Sequence, residues 1–483
     1  MWSLDEALAR GVRPHGYRER ETAVTSEAID IHRVARRSAL PLRRTLRPLL
    51  RDPVNALAGF ARQARGEVVR FNLGPFRPYL VSHPDHVQHV LRHDWENHPR
   101  EGMLWKPVER LAGRSIISDG PDWESARRIM QPLFTTRYVA SLTRDMAETI
   151  NEGLTAWEPY ARAGRWIDIY EEMSRLVSKT VIRVLFGSKI SLSDAERLGP
   201  AYGIAATSFA SRLLLPFAPD WIPLPGDRAF MRAVKTIDEV VMPLVRQARR
   251  EPGDGNDIIS ALARARRDEE DAAAERRIRD DLVSIYGASV ETTAVALTWL
   301  WPTLHDHPEV AARMYEEVET VVGRGPVDAE CLPRLTYMKT VFSELLRLYP
   351  PGWILPRMAA KPSRLGDVPI EAGSTLLISP FATHRLEGFW DRPEEFDPER
   401  FAEGGGQERR HRYAYFPFGG GPHVCIGQHL FYAEAPLMVA GLLARFRPQV
   451  RAPRPLTPFP AASLRPKELV EVRLVPLAGG ATA

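Results

Sequence analysis

The chain has 483 residues, 44% of them apolar and 26% charged, which is enough apolar material for a substantial core. Formal net charge is only +4, with 58 arginines against 7 lysines, so there is no dominant basic face for a nucleic acid, and two cysteines in a chain this long suit a reducing compartment better than a disulfide framework. The first residues, MWSLDEALARGVRPHGYRER, lack the apolar stretch of a signal peptide, and no uninterrupted run of about 18 apolar residues occurs, so a cytoplasmic protein without a spanning helix is expected.

In chain order, the first distinctive stretch is HRVARRSALPLRRTLRPLLR (32–51), with seven arginines and no acid. Its simpler reading is a solvated lead-in helix broken by Pro41 and Pro48; the same residues suit peripheral contact with an anionic membrane. No repeat, low-complexity segment or Gly/Ser linker follows, so residues 1–54 are taken as a lead-in and 55–483 as one unit. Residues 68–82 read as a strand pair around Gly74-Pro75, 368–379 as a turn and a strand, and 469–475 as a further strand, from Val470, Val472 and Leu474 alternating with polar residues. Helical periodicity covers 144–165, 167–186, 229–250, 257–269, 277–301, 308–322, 337–348 and 428–445. A mostly α, α-rich α+β fold with a minor sheet assembled from distant segments is predicted.

Within these elements, GASVETTAV (287–295) puts threonines in the middle of a long helix, where they ordinarily bond the preceding turn. ELLR supplies Glu344 and Arg347, three apart on one helix face, a pair that alone is worth only about a few tenths of a kcal/mol.

The densest chemistry lies in FPFGGGPHVCIG (416–427). Four glycines and two prolines around one cysteine describe a rigid loop whose backbone lies against something flat. Cys425 stands just before the helix that opens with IGQHLFYAEA, where the N-terminal dipole and free N–H groups favour a thiolate suited to binding a metal. The loop lacks the Lys-Ser/Thr of a phosphate loop and the G-x-G-x-x-G spacing, and it lacks the cluster of Cys/His ligands that zinc needs.

Phe418, Gly421, Cys425 and Gly427 match F-x-x-G-x-x-x-C-x-G, which resembles the ligand loop of the cytochrome P450 haem-thiolate monooxygenases. The resemblance runs from about residue 55 to 475, with its motifs in the family's order. It implies the P450 fold, with a long central helix over haem b and Cys425 as the axial iron ligand. It implies that Glu344, Arg347 and Arg400 (in FDPERF) form the buried network that holds the loop. Trp123 and Arg127 of DWESAR, Arg357 of PPGWILPR and His423 would grip the haem propionates; the family more often has Arg at the position of His423. Ala288, Glu291 and Thr292 match the oxygen-binding segment, with Ser289 where glycine is usual, and the resemblance makes Thr292 and Glu291 the proton relay. Pocket positions correspond to 95–117, 209–222, Tyr286–Ala288 with Gly287, Gly352–Leu355 with Trp353 and Ile354, and Phe459–Leu464, and the stretch 209–226, with prolines among large apolar residues, suits a substrate entrance.

The implied activity is oxidation of a lipophilic small molecule, a terpenoid, fatty acyl or polyketide skeleton, with O2 as co-substrate and one of its atoms incorporated. Only 58 residues follow Cys425, too few for a fused flavin or iron–sulfur domain, so NAD(P)H electrons are expected through a separate ferredoxin or flavodoxin and its reductase. ERRHRY (408–413) is a candidate landing patch for that partner or an ordinary solvated loop. The competing functions are a haem-thiolate peroxygenase, isomerase or dehydratase that needs no external electrons, and a non-catalytic haem sensor.

Overall fold

The computed structural model describes residues 40–74, 76–208, 222–406 and 409–477. Residues 32–39, most of 209–226 and Glu408 of the basic patch lie outside the described residues.

The helices that shape the site are α1 (Leu42–Arg51), α2 (Pro53–Gln63), α3 (Pro121–Met130), α4 (Thr136–Thr155), α5 (Ile169–Phe186), α6 (Leu192–Ser208), α7 (Asp227–Arg250), α8 (Asp271–Asp306), α9 (Pro308–Val321), α10 (Thr336–Leu348) and α11 (Gln428–Arg445). Their boundaries have local causes. Thr135 caps α4 by accepting from the Tyr138 N–H, so that helix starts earlier than its apolar period suggests, and it ends at Thr155 before a separate short helix, Glu158–Arg162. Asp168 caps α5 through the Tyr170 and Glu171 N–H groups, because residues 166–168 are taken up by a strand. Pro41 precedes α1 as expected, but Pro48 does not break it; Pro48 lies exposed, where water can satisfy the carbonyl that loses its partner.

A four-stranded sheet of order β1-β2-β7-β4 joins Val69–Arg70, Tyr79–Val81, Thr375–Ile378 and Leu355–Met358. β1 and β2 are antiparallel, as are β4 and β7, whereas β2 and β7 run parallel with Tyr79 opposite Leu376. A second sheet, β3-β11-β8, joins Trp166–Asp168, Glu471–Pro476 and Phe446–Arg451, and two hairpins, β5-β6 (363–370) and β9-β10 (458–466), complete the set among the described residues. The main core is built from α4, α5, α8, α10 and α11, with smaller clusters beneath the four-stranded sheet.

Helix α8 is the axis of that core. Residues 278–286 and 293–304 are buried throughout, yet all six residues from Gly287 to Thr292 keep accessible surface. Flanked on both sides by buried turns, this stretch opens onto a cleft inside the protein.

Candidate active site

Cys425 sits at the head of α11, two residues before its first cap, Gly427. The Cys425 N–H donates to the Phe418 carbonyl at 2.8 Å, closing the loop on itself, while the Gly419 N–H donates to Phe416 at 2.9 Å. Gly421 has φ +67°, and a side chain there would overlap the Leu91 carbonyl oxygen; at Gly420 it would overlap the Tyr413 ring. The glycines therefore let the loop lie directly on residues 89–93. Phe418 anchors its other side against Phe431 and Tyr432, at 5.8 and 5.7 Å between ring centres.

The Cys425 sulfur is deep among protein atoms yet solvent-accessible, because it borders open space rather than packed side chains. Burial pushes its thiol pKa up, opposed by the Gly427 N–H, the Arg127 guanidinium and the Gln428 N–H. Arg127 also donates from Nη1 to the Val424 carbonyl at 2.8 Å.

Glu344, Arg347 and Arg400 come together as a buried cluster. Arg347 donates to both Glu344 oxygens at 2.7 and 2.8 Å, and Arg400 Nε lies 3.4 Å from Glu344 Oε1, a contact not aligned as a hydrogen bond. Arg347 also reaches the carbonyls of His384, Pro393 and Glu395, and the Asp397 N–H donates to Glu344. His384, absent from the sequence reading, connects this cluster to the loop. Its Nε2 accepts from the Phe416 N–H at 3.0 Å, which leaves Nδ1 to donate to the Arg347 carbonyl at 3.1 Å. Burial holds its pKa well below the ordinary value, consistent with that neutral tautomer.

A second cluster gathers three basic side chains, Arg100, Arg357 and His423, from three segments. Arg357, on β4, is 5% exposed, and its side-chain hydrogen bond goes to the neighbouring Pro356 carbonyl at 2.7 Å. Burial and the nearby Arg100 push its pKa down to about 9; burial likewise takes Arg100 to about 10. The His423 ring is 4.3 Å from the Trp123 ring, and its Nε2 lies 2.5 Å from Asp119 Oδ1, close but not aligned as a hydrogen bond. Arg100 pairs with the same carboxylate at 3.5 Å. Burial would raise the Asp119 pKa, but His423 and Arg100 outweigh it and hold the carboxyl low. Arg100 and Asp119 are site residues that the sequence reading missed, since neither lies in a recognised motif.

This arrangement fits a haem. Arg100 and His423 share one carboxylate, and the buried Arg357 makes no ion pair among the described residues, leaving positive charge that an anionic propionate would neutralise; the thiol and side-chain-free loop suit a flat macrocycle. Leu355 borders the loop: a side chain at Gly419 would meet it at 3.8 Å.

The segment 287–292, which by resemblance would bind oxygen, is divided by the structure. Ala288 and Thr292 share a face of α8 at the cleft, with Thr292 Oγ1 donating to the Ala288 carbonyl at 2.6 Å. Glu291 turns to the β9-β10 hairpin instead, accepting from the Ser463 N–H at 3.2 Å; burial raises its pKa against Ser463 and Arg465. Ser289 leaves α8 an unbroken α-helix.

Among the pocket candidates, Gly287 lies beside the Tyr202 ring, Trp353 bonds the Ala461 carbonyl at 3.4 Å and Ile354 packs on the cluster under the sheet. Two candidates are placed elsewhere. Tyr286 is buried, with its hydroxyl 2.6 Å from Ser178 and its ring 4.2 Å from Tyr202. Phe459 borders a separate pocket of about 310 Å³ beside Tyr170 and Lys467, with Arg465 over its ring.

The cytochrome P450 family model matches residues 51–473. The chain is 33% identical over 433 residues to cyclooctat-9-en-7-ol 5-monooxygenase of Streptomyces melanosporofaciens, covering 88% of this chain and 90% of the relative. It is 32% identical over 443 residues to cyclooctatin synthase of the same organism, covering 91% and 93%, and 27% identical over 425 residues to pentalenene oxygenase of Streptomyces avermitilis, covering 88% and 91%. The crystal structure of the cytochrome P450DA haem domain shares the fold, with a TM-score of 0.78 at 23% identity over 90% of this chain and 95% of that one. Among the described residues no helix is long and apolar enough to cross a membrane. With a family match over most of its length and a thiol loop shaped for a haem, the chain belongs to the cytochrome P450 family: it is a haem-dependent monooxygenase of a lipophilic small molecule that uses haem b, dioxygen and NAD(P)H-derived electrons passed on by redox partners.

Proposed function

We propose that the substrate is a terpenoid, a largely apolar carbocycle that receives a hydroxyl group or a related oxidation. The observation that carries this reading is that the three relatives named above, matched over nearly their whole length, are named for cyclooctatenol, cyclooctatin and pentalenene chemistry. A carbocycle with few polar atoms needs little from its site beyond shape, apolar contact and exclusion of water.

When bound, the haem supplies activation of dioxygen and insertion of one of its atoms into a C–H bond. The chain's own residues bind, orient and move protons. Cys425 provides the sulfur ligand, held forward by the N–H groups of Gly427 and Gln428. Trp123, Arg127, Arg357 and His423, with Arg100, take the propionates, and Glu344, Arg347 and Arg400 stiffen the segments behind the loop. Thr292 offers a hydroxyl at the cleft, and Glu291 exchanges protons from the hairpin side, where Tyr170 and Arg465 adjoin it. Electrons come from a ferredoxin or flavodoxin docked over the groove of about 520 Å³ that Arg92, Arg412, Gln428 and the loop backbone line.

The test is turnover of cyclic sesquiterpenes and diterpenes with NAD(P)H, surrogate redox proteins and isotopically heavy dioxygen. One heavy oxygen atom per product is expected, together with a shift of the Soret band on binding. Tighter binding and faster turnover of fatty acids or macrolactones would replace the terpenoid reading. In the same assay Thr292→Ala should keep its haem and divert electrons to hydrogen peroxide or water; fully coupled turnover would remove Thr292 from the relay.

A further inference from the structure

Helix α1 has a face that the catalytic reading leaves unexplained. It rests on α2 through buried Thr45 and half-buried Leu49. At 100° per residue, Leu42, Leu46 and Leu50 form a stripe beside that contact, and they remain 41%, 40% and 76% exposed. Arg43, Arg47, Arg51 and Arg44 follow on the next sector, all exposed. None of the four makes an ion pair among the described residues, and the helix contains no acid. The next acid along the chain, Asp52, is engaged as the cap of α2, accepting from the Asn55 N–H at 3.1 Å and from its side-chain amide at 2.7 Å. An apolar stripe bordered by uncompensated guanidiniums complements one kind of surface, a bilayer whose headgroups are anionic and whose acyl chains begin just beneath them.

We propose that α1 docks this enzyme on the surface of an anionic membrane, with the leucine stripe at the headgroup–acyl boundary and the arginines among lipid phosphates. The full positive charge of the helix then meets counter-charge that the described residues do not provide. A protein partner or a second copy of the chain would also cover leucines, but four clustered guanidiniums on each of two copies would repel one another.

The experiment is flotation of the haem-loaded, full-length enzyme with vesicles of phosphatidylcholine alone or of phosphatidylcholine with an equal share of phosphatidylglycerol. Binding to the anionic vesicles is expected, with little to the neutral ones, and it should weaken as salt rises from about 0.1 to 0.5 M. Arg43→Gln with Arg47→Gln should weaken partitioning by about 30-fold, at about 1 kcal/mol per arginine. Leu46→Ser with Leu50→Ser should weaken it by at least about tenfold. Leu192→Ser, at a leucine on another helix about as exposed as Leu50 (73% against 76%), should leave it unchanged. An unaltered Soret band in each variant shows that the fold survives. Equal binding to both vesicle types, wild-type binding by the leucine variants, or leucine-dependent self-association without vesicle binding would overturn the proposal. Because the readout is vesicle binding, any of these outcomes leaves the terpenoid reading standing.

Discussion

The Phe416 N–H has one side-chain partner, His384 Nε2, and through it the cysteine loop is tied to the Glu344–Arg347 pair. Replacing that imidazole by leucine would leave a buried donor unsatisfied, at a cost of about 1–3 kcal/mol. His384→Leu should therefore lower the share of the reduced carbonyl complex that shows the red-shifted thiolate band and speed thermal haem loss; His384→Gln, which keeps an acceptor, should be milder. A leucine variant indistinguishable from wild type in both measurements would remove the positioning role. At this scale legibility followed the length of the local pattern. Cys425 and its glycines lie within a dozen consecutive residues and could be read directly. His384, Arg100 and Asp119 could not, because each acquires meaning only when a distant segment arrives beside it. Phe459 was misplaced for the opposite reason: an apolar residue near a pocket-forming turn looks the same whether its ring faces the cleft or, as here, lies under Arg465.

Helix α11 carries the cysteine loop at one end and an unusual carboxyl in its interior. Both Glu434 oxygens lack a hydrogen-bond partner among the described residues, and burial alone raises the pKa to about 8. The unfolded chain releases this proton near the ordinary value of about 4.3, while the folded chain keeps it until about 8, so folding binds a proton between those limits and stability falls as pH rises through them. Glu434→Met fills similar volume and should remove this loss. The gain in apparent stability of the haem-loaded enzyme over wild type should grow by about 2 kcal/mol between about pH 6 and pH 8, measured as thermal or denaturant unfolding. A gain independent of pH would mean that the carboxyl is not protonated in the folded state. The helices were visible in the sequence because apolar residues recur along a whole face. Strands of two to four residues, such as β1 and β4, leave no comparable pattern, and their pairing with remote partners decides that they exist. Trp166–Asp168 shows the effect: its periodicity continues into a helix, but Asp168 pairs with Glu471 and the helix starts one residue later.

For the whole molecule, the groove over the cysteine loop is edged by Arg92 and Arg412 on a chain of net charge only +4, so attraction for an acidic partner is local rather than global. Arg409→Glu with Arg412→Glu should slow reduction by a ferredoxin several-fold at low salt and make it less sensitive to added salt, without changing substrate binding spectra; unchanged reduction rates would remove this patch from the docking surface. The fold class and family were legible because several motifs occur in order along one chain, and order over such a distance constrains topology even where individual strands are invisible.

The parallel pairing of β2 with β7, Tyr79 against Leu376, sets a schedule for synthesis. The ribosome delivers residues 79–81 long before their partners, an interval of roughly half a minute at about 10 residues per second. During that time Tyr79, Leu80 and Val81, all fully buried in the finished protein, wait without the strand that covers them. The yield of correctly assembled enzyme in a foreign host thus depends on what shelters those three side chains until translation passes residue 378.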